Sequence, residues 1–161
     1  MVNKKSWLGI LVIVLVFGMT VVGNLEAQTD INLNGVWINT NMGEWKLQNG
    51  NFEISGFSEM SFKGTYVTNN GIMSFKATQI FFSNPPAEFG VEKKWYTLNE
   101  LFIAMKPAAL KEGIPENEIY VMISSLFSLL PDFPYSVDKS TLILTNKDNR
   151  GKTNVVTFIK K

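Results

Sequence analysis

Polar and apolar residues alternate with a period of two from Ile31 to Phe82, and turn residues interrupt the alternation at short intervals. Gly35-Val36-Trp37-Ile38 opens this region as a short strand. Glu44-Trp45-Lys46-Leu47-Gln48 alternates without a fault, and Asn51-Phe52-Glu53-Ile54-Ser55 alternates again after Asn49-Gly50. An Asn-Gly pair between alternating runs predicts a hairpin, because a type I′ turn needs positive φ at both central residues. Ser61 to Val67 reads as a fourth strand, with Phe62, Gly64 and Tyr66 on one face. After the turn residues Asn69-Asn70-Gly71, Ile72 to Phe82 reads as a fifth strand, with Met73, Phe75, Ala77 and Phe81 on its apolar face. Pro85-Pro86 ends the run, since proline cannot donate to a ladder.

The period then changes. Thr97-Leu98-Asn99-Glu100 has the spacing of a capping box, and Tyr96 and Leu101 occupy the positions of a hydrophobic staple around it. Leu101, Phe102 and Met105 follow helical spacing, Pro107 is expected to kink or split the helix, and Gly113 to stop it. A second helix is predicted from Pro115-Glu116, where proline's missing donor costs nothing. Its stripe is Ile119, Met122, Ile123, Leu126, Phe127 and Leu130, closed by Pro131. Strands return at Tyr135 to Val137, Ser140 to Thr145 and Asn154 to Ile159, which makes eight in all.

Eight antiparallel strands must dispose of their edges, and closing into a barrel removes them; a two-sheet sandwich is the competing arrangement. The meander order favours an eight-stranded antiparallel up-and-down barrel, mainly β, with a two-helix insertion at about residues 97–131 between strands five and six. The insertion is expected to pack over one mouth or against the outer wall.

Gly35-Val36-Trp37 resembles the Gly-x-Trp signature of lipocalins and the wider calycin group. The Asn-Gly hairpin and the late Tyr135-x-Val137…Leu142-x-Leu144 pattern are similar to small exported bacterial lipocalin-like proteins. The resemblance implies a tryptophan packed across the closed end of the barrel and a small hydrophobic or amphipathic ligand inside. It also implies a cation stacked on that tryptophan, a role for which Lys160 or Lys161 could replace the usual arginine. The main lipocalin helix follows the eighth strand, whereas here the helices fall in mid-chain. The inward, ligand-binding set is expected to be Trp37, Trp45, Phe52, Phe62, Tyr66, Met73, Phe75 and Phe81, with Gly64 and Ala77 opening space. Seven large rings in an eight-stranded barrel leave two outcomes open, a ligand pocket or a core filled by its own side chains.

Composition narrows the chemistry. The 161 residues contain no His and no Cys, so disulfides, thiolate or imidazole metal sites and Cys- or His-based catalysis are excluded. Glu116 and Glu118 do not share a helix face, and Asp138 and Asp148 fall in turns. No catalytic residue, metal ligand or cofactor is therefore assigned, and the chain is expected not to be an enzyme. Fifteen Lys/Arg against fourteen Asp/Glu gives no basic surface for nucleic acid. Lys93-Lys94-Trp95-Tyr96 reads either as an exposed basic and aromatic patch or as a loop packed on the helix start.

Lys4 and Lys5 precede the apolar run Leu8 to Val22, which has the length of a signal h-region and is short for a membrane-spanning helix. Residues 1–27 are therefore expected to be a signal peptide, or an uncleaved anchor that would be the chain's one link to a membrane. Residues 28–161 form the barrel domain. With no cysteine near the cleavage region the protein is not a lipoprotein, and the expected location is periplasmic, cell-envelope or secreted. Beyond residue 27, without Lys4, Lys5 and Glu26, thirteen residues of each sign remain. Two functions fit: a binding protein for a small apolar ligand, or an envelope interaction protein that uses a packed barrel as a scaffold for protein contacts.

Overall fold

In the computed structural model, residues 29–57, 59–147 and 151–161 are described; the expected signal segment lies outside them. Eight long strands close into an antiparallel barrel, β1 (Gly35–Asn39), β2 (Gly43–Gln48), β3 (Asn51–Phe57), β4 (Met60–Asn69), β5 (Ile72–Phe82), β7 (Phe133–Val137), β8 (Thr141–Lys147) and β9 (Thr153–Lys160). Each pairs with the next, and β9 returns to β1 through Trp37 opposite Lys160 and Ile38 opposite Ile159. A two-residue strand, β6 (Trp95–Tyr96), adds to the far end of β5. It is too short for periodicity to register.

The tight turns follow their sequences. Asn49 and Gly50 both have positive φ, at 49° and 78°, as do Asn70 and Gly71 at 48° and 73°. Both two-residue hairpins thus have the type I′ form, whose twist matches that of the strands.

Helix α1 (Leu98–Lys111) begins with the full capping box: Thr97 Oγ1 accepts from the Glu100 amide and Glu100 accepts from the Thr97 amide. Tyr96 and Leu101, the staple pair, are both buried. Pro107 lies inside the helix without splitting it. Its side is exposed, so the Ile103 carbonyl that loses its partner can turn to water. The stop is a Schellman motif in which the Gly113 amide donates to Leu110 and the Ile114 amide to Ala109, with Gly113 at φ 81°. Helix α2 (Glu116–Phe127) follows and buries Ile119 and Ile123 against the same core.

β5 meets β7 only at Ile72 and Met73, and meets β6 only at Ile80 and Phe81. From Ser74 to Gln79 this edge of β5 has no strand partner, and α2 packs against β5 while α1 packs against β6. The insertion therefore lies along the side wall where the sheet is incomplete, one of the two placements the sequence left open.

The alternation along β5 does not hold to its end. Lys63 pairs with Gln79 but Gly64 pairs with Ala77, so Thr78 is an extra residue. This β-bulge reverses the facing of everything after it. Ile80 and Phe82 turn into the core, and Phe81, expected inside, stands on the outer wall against Trp95 with ring centroids 5.6 Å apart.

Candidate functional site

One end of the barrel is closed by residues 30–33, which cross it as a single 3-10 turn (Ile31–Leu33) capped by Asp30. Leu33 is fully buried as the plug, and its carbonyl accepts a 2.7 Å hydrogen bond from Trp37 Nε1. Lys160, brought beside β1 by strand pairing, places its Nζ 5.0 Å from the Trp37 ring centroid. The plugged end therefore carries a buried tryptophan with a lysine ammonium over its ring.

Above this floor the interior is aromatic. Trp45 donates from Nε1 to the Met42 carbonyl and lies between Phe75, Phe133 and Phe158, with centroid distances of 5.5, 6.1 and 4.8 Å. Phe75 also meets Phe52 edge-on at 5.0 Å, Phe133 at 6.1 Å and Tyr66 at 6.2 Å. Trp37, Trp45, Phe52, Phe62, Tyr66 and Met73 are all buried, so seven of the eight expected lining residues, Phe75 included, face the interior; Phe81 alone does not. Phe133 and Phe158 complete the cluster, and their period-two strands could have nominated them.

Phe75 differs from its neighbours. Four rings surround it, yet it is only half-buried. It sits on the stretch of β5 whose outer edge lacks a strand partner. Phe75 is thus the least buried ring of the cluster. Gly64, expected to open space, does something else: a Cβ there would run into the β5 backbone at Lys76 and Ala77. Its role is the close approach of two strands at the bulge. Ala77 remains a small residue on the inner face, 9% exposed.

A polar group that the sequence analysis missed lies at the closed end. Tyr135 Oη donates to Asp30 Oδ2 at 3.2 Å, and the Asp30 amide donates to Thr68 Oγ1 at 3.0 Å. Tyr66 Oη is buried without a hydrogen-bond partner among the described residues. Burial pushes the Tyr66 phenol above its ordinary value; the Gly50 amide offsets part of this without reaching hydrogen-bond geometry, and Asp30 and Tyr135 add to the rise. Tyr135 is raised by burial and by Asp30 as well. Two phenols that ionise less readily when folded contribute stability that is fully present below about pH 10 and lost as pH rises through their raised values. The urea midpoint is expected to fall through that alkaline range, and Tyr66→Phe to flatten the decline.

The Lys93-to-Tyr96 segment divides between two environments. Tyr96 is buried and its hydroxyl accepts from the Glu92 amide, while Lys94 pairs with Glu92 at 3.4 Å. Trp95 faces outward beneath Lys63, whose Nζ is 4.1 Å from the ring centroid. A shallow, open cleft of about 400 Å³ on the outer wall is lined by Lys46, Gln48, Glu53, Lys63 and Thr65 among others. The Lys63–Glu53 ion pair at 3.4 Å spans it, so its charges already answer each other. Among the described residues no group of three or more acidic side chains is placed to hold a metal ion.

Set against protein-family models, curated proteins and solved structures, the chain matches none.

Proposed function

We propose that this is an exported, non-catalytic binding protein, lipocalin-like in its use of the barrel, that holds a small apolar or amphipathic molecule against the aromatic interior. The observation that carries this reading is Phe75, which lies among four rings inside the wall and is nevertheless only half-buried. Trp37 at the plugged end under Lys160 supports the lipocalin-like part, and the Lys4-Lys5 and Leu8-to-Val22 pattern supports export.

The energetics set the scale. Burying about 300 Å² of apolar ligand surface gains about 7 kcal/mol, and lost motional freedom leaves micromolar affinity as the upper bound. The test is titration with 1-methylnaphthalene followed by native mass spectrometry. Ala77→Leu, which fills the inner face one step along from Phe75, is expected to weaken binding at least tenfold while circular dichroism stays that of a folded barrel. Undiminished binding in the folded variant would place the ligand elsewhere and sink the proposal.

The outer wall of β8, β9 and β1 favours a second reading, the packed barrel as a scaffold. Its outward residues include Thr141, Ile143, Thr145, Val155, Thr157, Ile159, Val36 and Ile38, all β-branched, with the charged Lys147 at the far end of β8 and with Val155 and Ile159 60% and 56% exposed. The wall of β2 to β4, by contrast, carries Glu44, Lys46, Glu53 and Lys63 in ion pairs. In that reading a protein partner sits on this β-branched wall, and Ala77→Leu leaves its capture unchanged.

A further inference from the structure

Tyr66 is 1% exposed, its ring packs beside Phe75, and its hydroxyl is the one buried side-chain polar atom without a partner among the described residues. The Gly50 amide lies near it without hydrogen-bond geometry, and the side chains around it are engaged elsewhere. Tyr135 donates to Asp30 Oδ2; Asp30 Oδ1 accepts from both the amide and the side chain of Asn32. The Asp30 amide is spent on Thr68. A buried hydroxyl left unsatisfied is costly, so native structures almost always provide it with protein, water or ligand.

We propose that Tyr66 anchors the polar head of an amphipathic ligand, and that this head is a neutral hydroxyl or carbonyl group. The inference rests on the ligand-binding reading above. The ring cluster around Phe75 takes the apolar body, and Tyr66, in contact with that cluster at 6.2 Å between centroids, takes the head. The phenol both donates and accepts, so either a carbonyl or an alcohol satisfies it. Asp30 decides the charge. It lies close enough to both tyrosines to act on them electrostatically, and its carboxylate would repel a carboxylate or phosphate head entering a site where charge is poorly screened. The fitting class is an uncharged alcohol, phenol or ketone on a compact apolar skeleton, rather than a fatty acid or a pure hydrocarbon.

Three probes of nearly equal size separate the head from the body: 1-naphthol, 1-methylnaphthalene and 1-naphthoate. The full chain is expected to bind 1-naphthol about tenfold more tightly than 1-methylnaphthalene, the worth of one buried hydrogen bond, and 1-naphthoate most weakly. Tyr66→Phe keeps the ring and removes the hydroxyl. It should erase the preference for 1-naphthol by lowering 1-naphthol affinity about tenfold, to that of 1-methylnaphthalene. Equal binding of 1-naphthol and 1-methylnaphthalene by the wild-type chain overturns the head-group assignment, leaves the ligand reading standing and gives Tyr66 to an internal water. Binding of 1-naphthoate as tight as that of 1-naphthol overturns the charge assignment. Failure of all three probes to bind overturns both the assignment and the reading on which it rests.

Discussion

Replacing Trp45 with alanine is expected to cost about 4 kcal/mol of folding stability, the range seen when a large buried ring is truncated. The side chain is fully buried and touches Phe75, Phe133 and Phe158, which belong to three different strands. Its indole N–H reaches back to Met42 in the β1–β2 turn, so the same residue ties a barrel mouth to the centre of the core. Alanine removes the shared partner of three rings at once, and rigid strands on either side limit how far the hole can close. For a domain with a total stability of about 5–15 kcal/mol, that is a large fraction. Urea denaturation checks it: the midpoint should fall steeply with little change in slope. Trp45→Phe, which keeps a ring in the cluster, should recover more than half of the loss. A loss below about 1 kcal/mol for the alanine variant would mean that the interior is already loose around Trp45, contrary to the ring packing.

What the sequence made legible was local. Asn49-Gly50 specifies its turn because the turn type demands positive φ at two adjacent positions, and Thr97 to Glu100 specifies a helix start because the two side chains satisfy each other's amides. These signals act within four residues and need no knowledge of the rest of the fold. Closure was legible at one remove, from the count and order of strands. The polar group at the closed end was not, since Tyr135 and Asp30 are 105 positions apart and meet only when the N-terminal crossing is laid over the barrel. A hint existed. Tyr135 shares a strand face with Phe133 and Val137, so a face turned inward had to carry a phenol hydroxyl into the core.

The bulge at Thr78 was also missed, although β5 holds its trace. An unbroken period of two from Met73 would put Gln79 on the inner face and Ile80 and Phe82 outside. A glutamine turned inward among Phe75, Ala77 and Phe81, beside two large apolar residues turned outward, is the conflict that an extra residue resolves. The correction at Phe81 follows from it, and so does the burial of Ile80 and Phe82.

Gly64 is what permits that bulge, and Gly64→Ala is expected to be damaging on the scale of a core truncation for a different reason. The added methyl would overlap the Lys76 carbonyl oxygen and stand 2.9 Å from the Ala77 Cα, both main-chain atoms of the neighbouring strand. A flexible side chain could rotate away; a paired backbone cannot. Either β4 and β5 separate along their shared ladder, or Thr78 is drawn back into register. The second escape turns Ile80 and Phe82 outward and Phe81 inward, exchanging the buried set of the strand's far half. Both routes cost about 3 kcal/mol or more, the upper end of overpacking penalties. Gly71→Ala supplies the comparison. Gly71 has φ 73° but nothing nearer than 3.9 Å to an added Cβ, so alanine there meets only the left-handed backbone penalty of about 1–2 kcal/mol. Thermal unfolding of the two variants separates a backbone collision from a conformational preference. If Gly64→Ala melts no lower than Gly71→Ala, the two strands are not held as close as the bulge requires, and the inward placement of Ile80 and Phe82 falls with it.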